Sequence, residues 1–195
     1  MDFLNIKRAH IVGHSIGGTI ALQLASSYPD YIKSLILLEP AITGYNEFTN
    51  EQVIVEFQPL IQMYDKGQKN EAIDVFMKTA IGTNYKEIIA NVLPSNSFEL
   101  AVLDAQTFFH EEIPSMKSWT FTKTQTKDLV HTPVLHIRGI QKTRKISEER
   151  EELLNYWLPQ TVTTSISNAP HMLQITNTKE VVQLIELFFQ KVNTL

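Results

Sequence analysis

Arg8-Ala9-His10-Ile11-Val12-Gly13-His14-Ser15-Ile16-Gly17-Gly18 is the stretch on which the reading of this chain turns. Ala9 to Gly13 has the short apolar character of a buried strand, and Ile16 to Tyr28 carries small and apolar residues spaced for a helix packed on a sheet. A Gly-x-Ser-x-Gly pattern falls between the two. In that context the serine occupies a tight turn with strained backbone angles, and its hydroxyl is pushed out beyond the sheet. Gly13, Gly17, Gly18 and the small Ala21 allow strand and helix to approach closely. The helix then aims its first N–H groups and the positive end of its dipole at the serine, which makes the Ile16 N–H a candidate oxyanion donor. A glycine-rich turn with an incidental serine is the competing reading. The missing Lys-Ser/Thr pair argues against a phosphate-binding loop, and the glycine spacing differs from the dinucleotide fingerprint.

Outward from this stretch, Pro29-Asp30 ends the helix and Ser34 to Leu38 is a continuous apolar run, as in parallel strands covered on both faces. The result is a βαβ unit. Between Ala41 and about Lys127 helical spacing takes over, at Val53, Phe57, Leu60, Ile61 and Tyr64, then Ala72, Phe76 and Ala80, then Leu100, Leu103 and Thr107. Strand character resumes at Pro133 to Ile137, a helix runs through Glu148 to Trp157, Val162 to Ile166 forms another strand, and an amphipathic helix spans Lys179 to Gln190. An α/β core interrupted by a helical insertion accounts for this order. The expected division is residues 1–43 as core, 44–128 as helical cap insertion and 129–195 as core.

The whole chain is consistent with one globular protein. Its 195 residues are 43% hydrophobic and 19% charged, enough apolar content to build a core. The net charge of -4 and the mixed signs of the cluster Lys142 to Glu152 give nucleic acid no basic face to bind. Zero cysteines excludes disulfides and thiolate chemistry. The longest apolar runs fall far short of the ~18 residues of a membrane span, and no secretory signal opens the sequence, so a cytoplasmic location is expected. No His-x-x-x-His or carboxylate cluster calls for a metal, and nothing calls for a cofactor.

The stretch Arg8 to Gly18 resembles the nucleophile elbow of the α/β-hydrolase fold superfamily. Asn168-Ala169-Pro170-His171-Met172-Leu173-Gln174 resembles the loop after the last strand, where that family keeps its catalytic histidine. Thr107-Phe108-Phe109 through Trp119, and Trp157-Leu158-Pro159, are similar to a bacterial branch of these hydrolases. The resemblance implies an incomplete α/β-hydrolase fold: a mostly parallel sheet with flanking helices and a helical cap. It also implies a serine nucleophile, here Ser15.

A serine needs a base to accept its proton. Of six histidines, His14 adjoins Ser15 and is expected to line the pocket, His10 and His136 lie in strands, and His110 and His131 sit in or beside the insertion. His171 follows the last strand, in the family's chain order, and is the expected base. The orienting acid is less plain. The family's usual aspartate would fall near Arg138-Gly139-Ile140-Gln141-Lys142-Thr143, which holds no carboxylate. Some members place the acid after the strand that follows the nucleophile helix, where Glu39 stands in Leu37-Leu38-Glu39-Pro40. Glu39 is the preferred candidate; Glu148, Asp104 or no acid at all are the alternatives, and a glutamate at this point also fits a pocket-lining or capping role.

Family members carry several strands before the elbow, with a His-Gly type loop that supplies a second oxyanion N–H, whereas this sequence starts in what reads as the last turn of the preceding helix. A truncated gene product with weak or no activity is the resulting expectation, with the elbow strand left as a sheet edge open to self-association or a partner chain. The function implied is a serine hydrolase, of esterase, lactonase or thioesterase type, acting through an acyl-enzyme on a small apolar acyl substrate. A non-catalytic module binding a ligand or partner on the same scaffold is the alternative. Phe57, Met63, Tyr64, Phe76, Phe108, Phe109 and Trp119 enrich the insertion and would either line an apolar pocket or hold the cap helices together.

Overall fold

A computed structural model of the chain describes residues 1–42, 47–140 and 146–193, the side chains of 47–54 and 146–149 excepted. The described residues form two compact units: Met1–Ile42, Phe121–Ala169 and Asn177–Leu195 make the first, and Thr43–Thr120 with Pro170–Thr176 the second.

The first unit is built on four parallel strands in the order β1 (Ala9–His14), β2 (Ile32–Leu38), β3 (Val134–Ile140) and β4 (Thr161–Ser167). Parallel neighbours need crossover connections, and helix α1 (Ile16–Ser27) provides the one between β1 and β2. Interior strands of such a sheet are covered on both faces, which is why β2 ends in the unbroken apolar run Leu35 to Leu38: Ile32, Leu35, Ile36 and Leu37 are all fully buried, and Lys33 is exposed. The sheet residues of β1 are less protected. That strand lies at one edge of the described sheet, and its Val12 is 50% exposed.

The expected strands and the helix Ile16 to Tyr28 are present to within two residues at each end, except that β3 continues three residues past the expected end at Ile137, to Ile140. The 3₁₀ segment Lys123–Leu129 opens on a capping box at Thr122 and Gln125, and Lys123 Nζ and Thr126 Oγ1 both donate to the Trp157 carbonyl. They thereby occupy an acceptor at the end of the helix that spans Ile146–Trp157, which otherwise has no partner within the helix.

The second unit is helical. It contains α2 (Glu47–Asp65), α3 (Lys69–Ala80), α4 (Tyr85–Val92), α5 (Ser97–Thr107) and α6 (Ile113–Ser118), with a π-helical turn, Phe108–Glu112, joining the last two. Pro114 explains that turn: its nitrogen cannot donate to the His110 carbonyl four residues back, and the ladder widens upstream. Tyr64, Ala72, Ile73, Ala105 and Phe109 form the buried centre of this unit. Phe57, Phe98 and Phe108 pack against this centre, so most of the insertion's aromatics serve to hold the helices of this unit together. Helix α4 was not anticipated by apolar spacing; fully buried Tyr85 fixes it by donating a hydrogen bond of 2.6 Å to Asp74 on α3. In the first unit, α7 (Ile146–Trp157) precedes β4; the short α8 (Leu173–Thr176) belongs to the second unit; α9 (Thr178–Val192) returns to the first.

Two glycines of the elbow have opposite tolerances. A Cβ on Gly13 would stand 2.3 Å from the Gly17 carbonyl oxygen, whereas one on Gly17 meets nothing within 4 Å. Gly13→Ala should therefore lower stability by about 1–3 kcal/mol, as forced overpacking does. Gly17→Ala, at the first turn of α1, should be neutral or raise stability by up to about 1 kcal/mol through helix propensity. Urea unfolding of the two variants checks the contrast in sign.

Candidate active site

Ser15 sits between β1 and α1 with φ 52 and ψ -122, a left-handed setting that is strained for a residue with a Cβ. The surrounding backbone fixes it there. Its N–H donates to the Leu38 carbonyl (3.0 Å), while its own carbonyl accepts from Gly18 and Ala41 (2.9 Å each). Thr19 on α1 adds a buried bond of 2.8 Å from its hydroxyl to the Ala41 carbonyl. Gly18 is pressed against Pro40, where a Cβ would come within 2.7 Å of the proline ring. The strand–turn–helix around Ser15 and the segment that leaves β2 are thus one interlocked piece.

Ile16 opens α1, so its N–H is among the first four of the helix, which find no partner within it. This places a donor and the positive helix end beside the serine. His14 is the last residue of β1, half-buried and in register with Leu38.

Glu39 stands one residue beyond β2, also in a left-handed conformation (φ 44). Its N–H donates to the Ile137 carbonyl at 3.0 Å, and its Oε1 accepts the Gly139 N–H at 2.6 Å. The carboxylate thus takes the place that the next carbonyl of a β2–β3 ladder would hold. Sequence reasoning missed Gly139. A single glycine inside a strand marks a close backbone approach, and here a Cβ would lie 2.2 Å from the Ala169 carbonyl oxygen.

The structure brings Ser15 and Glu39 together at the ends of neighbouring strands in the first unit, whereas His171 belongs to the second. It follows β4 by way of Asn168, which has φ 59, and the N–H of the next residue, Met172, donates to the Ala80 carbonyl at 3.2 Å. Asp104 lies on α5 of the second unit, and the side chain of Glu148 lies outside the described residues, as do residues 141–145 of the stretch searched for the family's usual acid.

The remaining histidines have structural settings. His136 is buried in β3, and burial holds its pKa down at about 4, with Glu39 pulling it upward and Arg138 lowering it further. Arg138 is itself tied to Glu151 at 2.7 Å. His10 is half-buried: its Nδ1 lies 2.7 Å from Ser34 Oγ and its ring leans on Phe189 of α9. Burial, then the charge of Lys33, lowers its pKa. His110 pairs with Asp65 at 3.0 Å, and His131 is exposed. Among the described residues no group of three His, Cys, Asp or Glu side chains is arranged to hold a metal, and no described helix is long and apolar enough to cross a membrane.

A serine forced into a left-handed turn between a parallel strand and the helix packed on it is the architecture of the α/β hydrolases. The chain belongs to that family: residues 1–178 match the one described as alpha/beta hydrolase fold. Among curated relatives, it is 46% identical over 48 residues to a 2-hydroxy-6-oxo-6-phenylhexa-2,4-dienoate hydrolase of Comamonas testosteroni, a match that spans 25% of this chain and 17% of that one. The solved structure of the enzyme with the same name from Rhodococcus sp. strain RHA1 superposes with a TM-score of 0.69 at 17% identity, over 97% of this chain and 66% of that one. Naproxen esterase from Bacillus subtilis gives 0.64 at 17% identity, over 96% of this chain and 62% of its own. At these identities the structural likeness is one of fold, and the chain spans less than two thirds of the length of the curated relative and of the esterase.

Two measurements follow from the strand ends. His136 has a folded pKa of about 4 against an ordinary 6.5, so the unfolded chain binds the extra proton. Its contribution is complete above pH ~6.5 and falls as the pH drops toward ~4, by roughly 3 kcal/mol in all. Unfolding free energies at pH 7 and pH 4.5 should differ less in His136→Gln than in the parent. Glu39→Ala, which leaves the Gly139 N–H without its acceptor, should cost about 1–2 kcal/mol, while Glu39→Gln, which retains an acceptor oxygen, should cost less than half of that.

Proposed function

We propose that this chain carries the reacting serine of an acyl hydrolase. The observation that carries the reading is the left-handed Ser15 at the strand-to-helix junction, locked by bonds to Leu38 and Ala41. Family membership and the hydrolase and esterase named among its relatives support it. The substrate is an ester, lactone or thioester with a small apolar acyl group.

In this reading Ser15 Oγ attacks the acyl carbonyl and His171 takes the hydroxyl proton, forming a tetrahedral intermediate. The Ile16 N–H, at the positive end of α1, stabilises its oxyanion. Collapse breaks the bond to the leaving group, which takes the proton back from His171 and leaves Ser15 acylated. Water, activated by the same histidine, then releases the acid and restores the serine. Glu39 orients the histidine and offsets the charge it gains. Only one Glu39 oxygen is required by Gly139, so a carboxylate here is compatible with both duties. His14 lines the substrate's path.

The test is hydrolysis of p-nitrophenyl butyrate. Ser15→Ala and His171→Gln should each lower kcat by roughly 10³–10⁴-fold with KM little changed, the pattern of groups that act in the transition state. Glu39→Gln separates the two duties: a loss approaching 10⁴-fold with stability retained supports the orienting role, and unchanged turnover restricts Glu39 to closing the ladder. Full turnover by Ser15→Ala would overturn the reading.

A further inference from the structure

Within the second unit, α3, α5 and the π-helical turn enclose an open groove of about 460 Å³ that the hydrolase chemistry does not use. Its floor and walls are apolar, from Ile73, Phe76, Met77 and Phe108, while Asp104 and Glu112 add two carboxylates. The volume lies within the range of small-molecule sites. Phe76 and Phe108 are held 5.3 Å apart between ring centroids, and both lean on Phe57, at 6.1 and 5.5 Å. This fixes the rings in place before any ligand arrives. The π-helical turn contributes Phe108 and Glu112, and such turns recur at functional sites.

The chemistry of this lining selects by charge. Two carboxylates beside aromatic rings repel an anion, and a small inorganic cation would lose its hydration against the apolar walls without gaining enough oxygen ligands. An organic ammonium ion suits all three features: its diffuse charge lies against the ring faces, the carboxylates compensate it, and its hydrocarbon part covers the apolar floor. Among the described residues, neither Asp104 nor Glu112 is ion-paired with a Lys or Arg. We propose that the cap groove bounded by Phe76, Phe108, Asp104 and Glu112 binds organic ammonium ions that carry an apolar tail.

Calorimetric titration of the full chain with decyltrimethylammonium, kept below its micelle concentration, tests this, with decyl sulfate as the anionic control. The expected result is saturable binding of the cation only. It should weaken at least about tenfold in the double variant Asp104→Asn/Glu112→Gln and about two- to fivefold in Phe76→Leu, which keeps bulk but loses the ring. Circular dichroism of each variant confirms that the helices are retained. No saturable binding of the cation, equal binding of decyl sulfate, or undiminished affinity in a folded double variant would overturn the proposal. None of these outcomes bears on Ser15, whose variants report on the hydrolase reading separately.

Discussion

The close approach of α1 to β1 across Gly13 and Gly18 is the constraint on which the rest of the first unit depends. A Cβ on Gly13 would collide with the backbone of Gly17 and Gly18, and one on Gly18 with Pro40, so α1 meets β1 and the segment after β2 only because neither glycine has a side chain. That proximity leaves no room for an ordinary loop. The chain reverses through one residue, and that residue, Ser15, takes the left-handed conformation. The strain of order 1–3 kcal/mol is offset by the bonds that tie Ser15 to Leu38, Gly18 and Ala41. A hydroxyl so placed projects beyond the sheet, next to the first N–H groups of the helix. In the proposed reading, position and reactivity come from the same packing.

Glu39 shows the same economy at the next strand. It is left-handed, it follows the last ladder residue of β2, and its side chain completes the pairing with β3 through Gly139. Its charge is felt by the buried His136. A residue with so many structural duties can also serve chemistry, but structure alone accounts for its presence. For this reason the amide and alanine variants carry different information: the amide removes charge and keeps the bond, and alanine removes both.

Much of this was legible in the residues. The apolar run of β2 and the Gly-x-Ser-x-Gly turn between strand and helix are local patterns, governed by sheet burial and by the steric demands of a tight reversal. Helix α4 was harder to read because its anchor is a tyrosine hydroxyl bonded to an aspartate on another helix, which leaves no apolar spacing to see. The π-helical turn follows from a proline whose effect appears upstream of it. The bond from Gly139 to Glu39 joins residues 100 apart in sequence, and no window of local periodicity contains both. His10 likewise has its partners, Ser34 and Phe189, on distant elements.

In the proposed reading the packing around the elbow makes Ser15 the reactive hydroxyl. Peptide mapping by mass spectrometry after exposure to a fluorophosphonate addresses it most directly. The expected result is a single covalent adduct on the peptide containing Ser15, absent when the protein is unfolded first. Exclusive modification of a different residue, or no adduct on the folded protein, would contradict it.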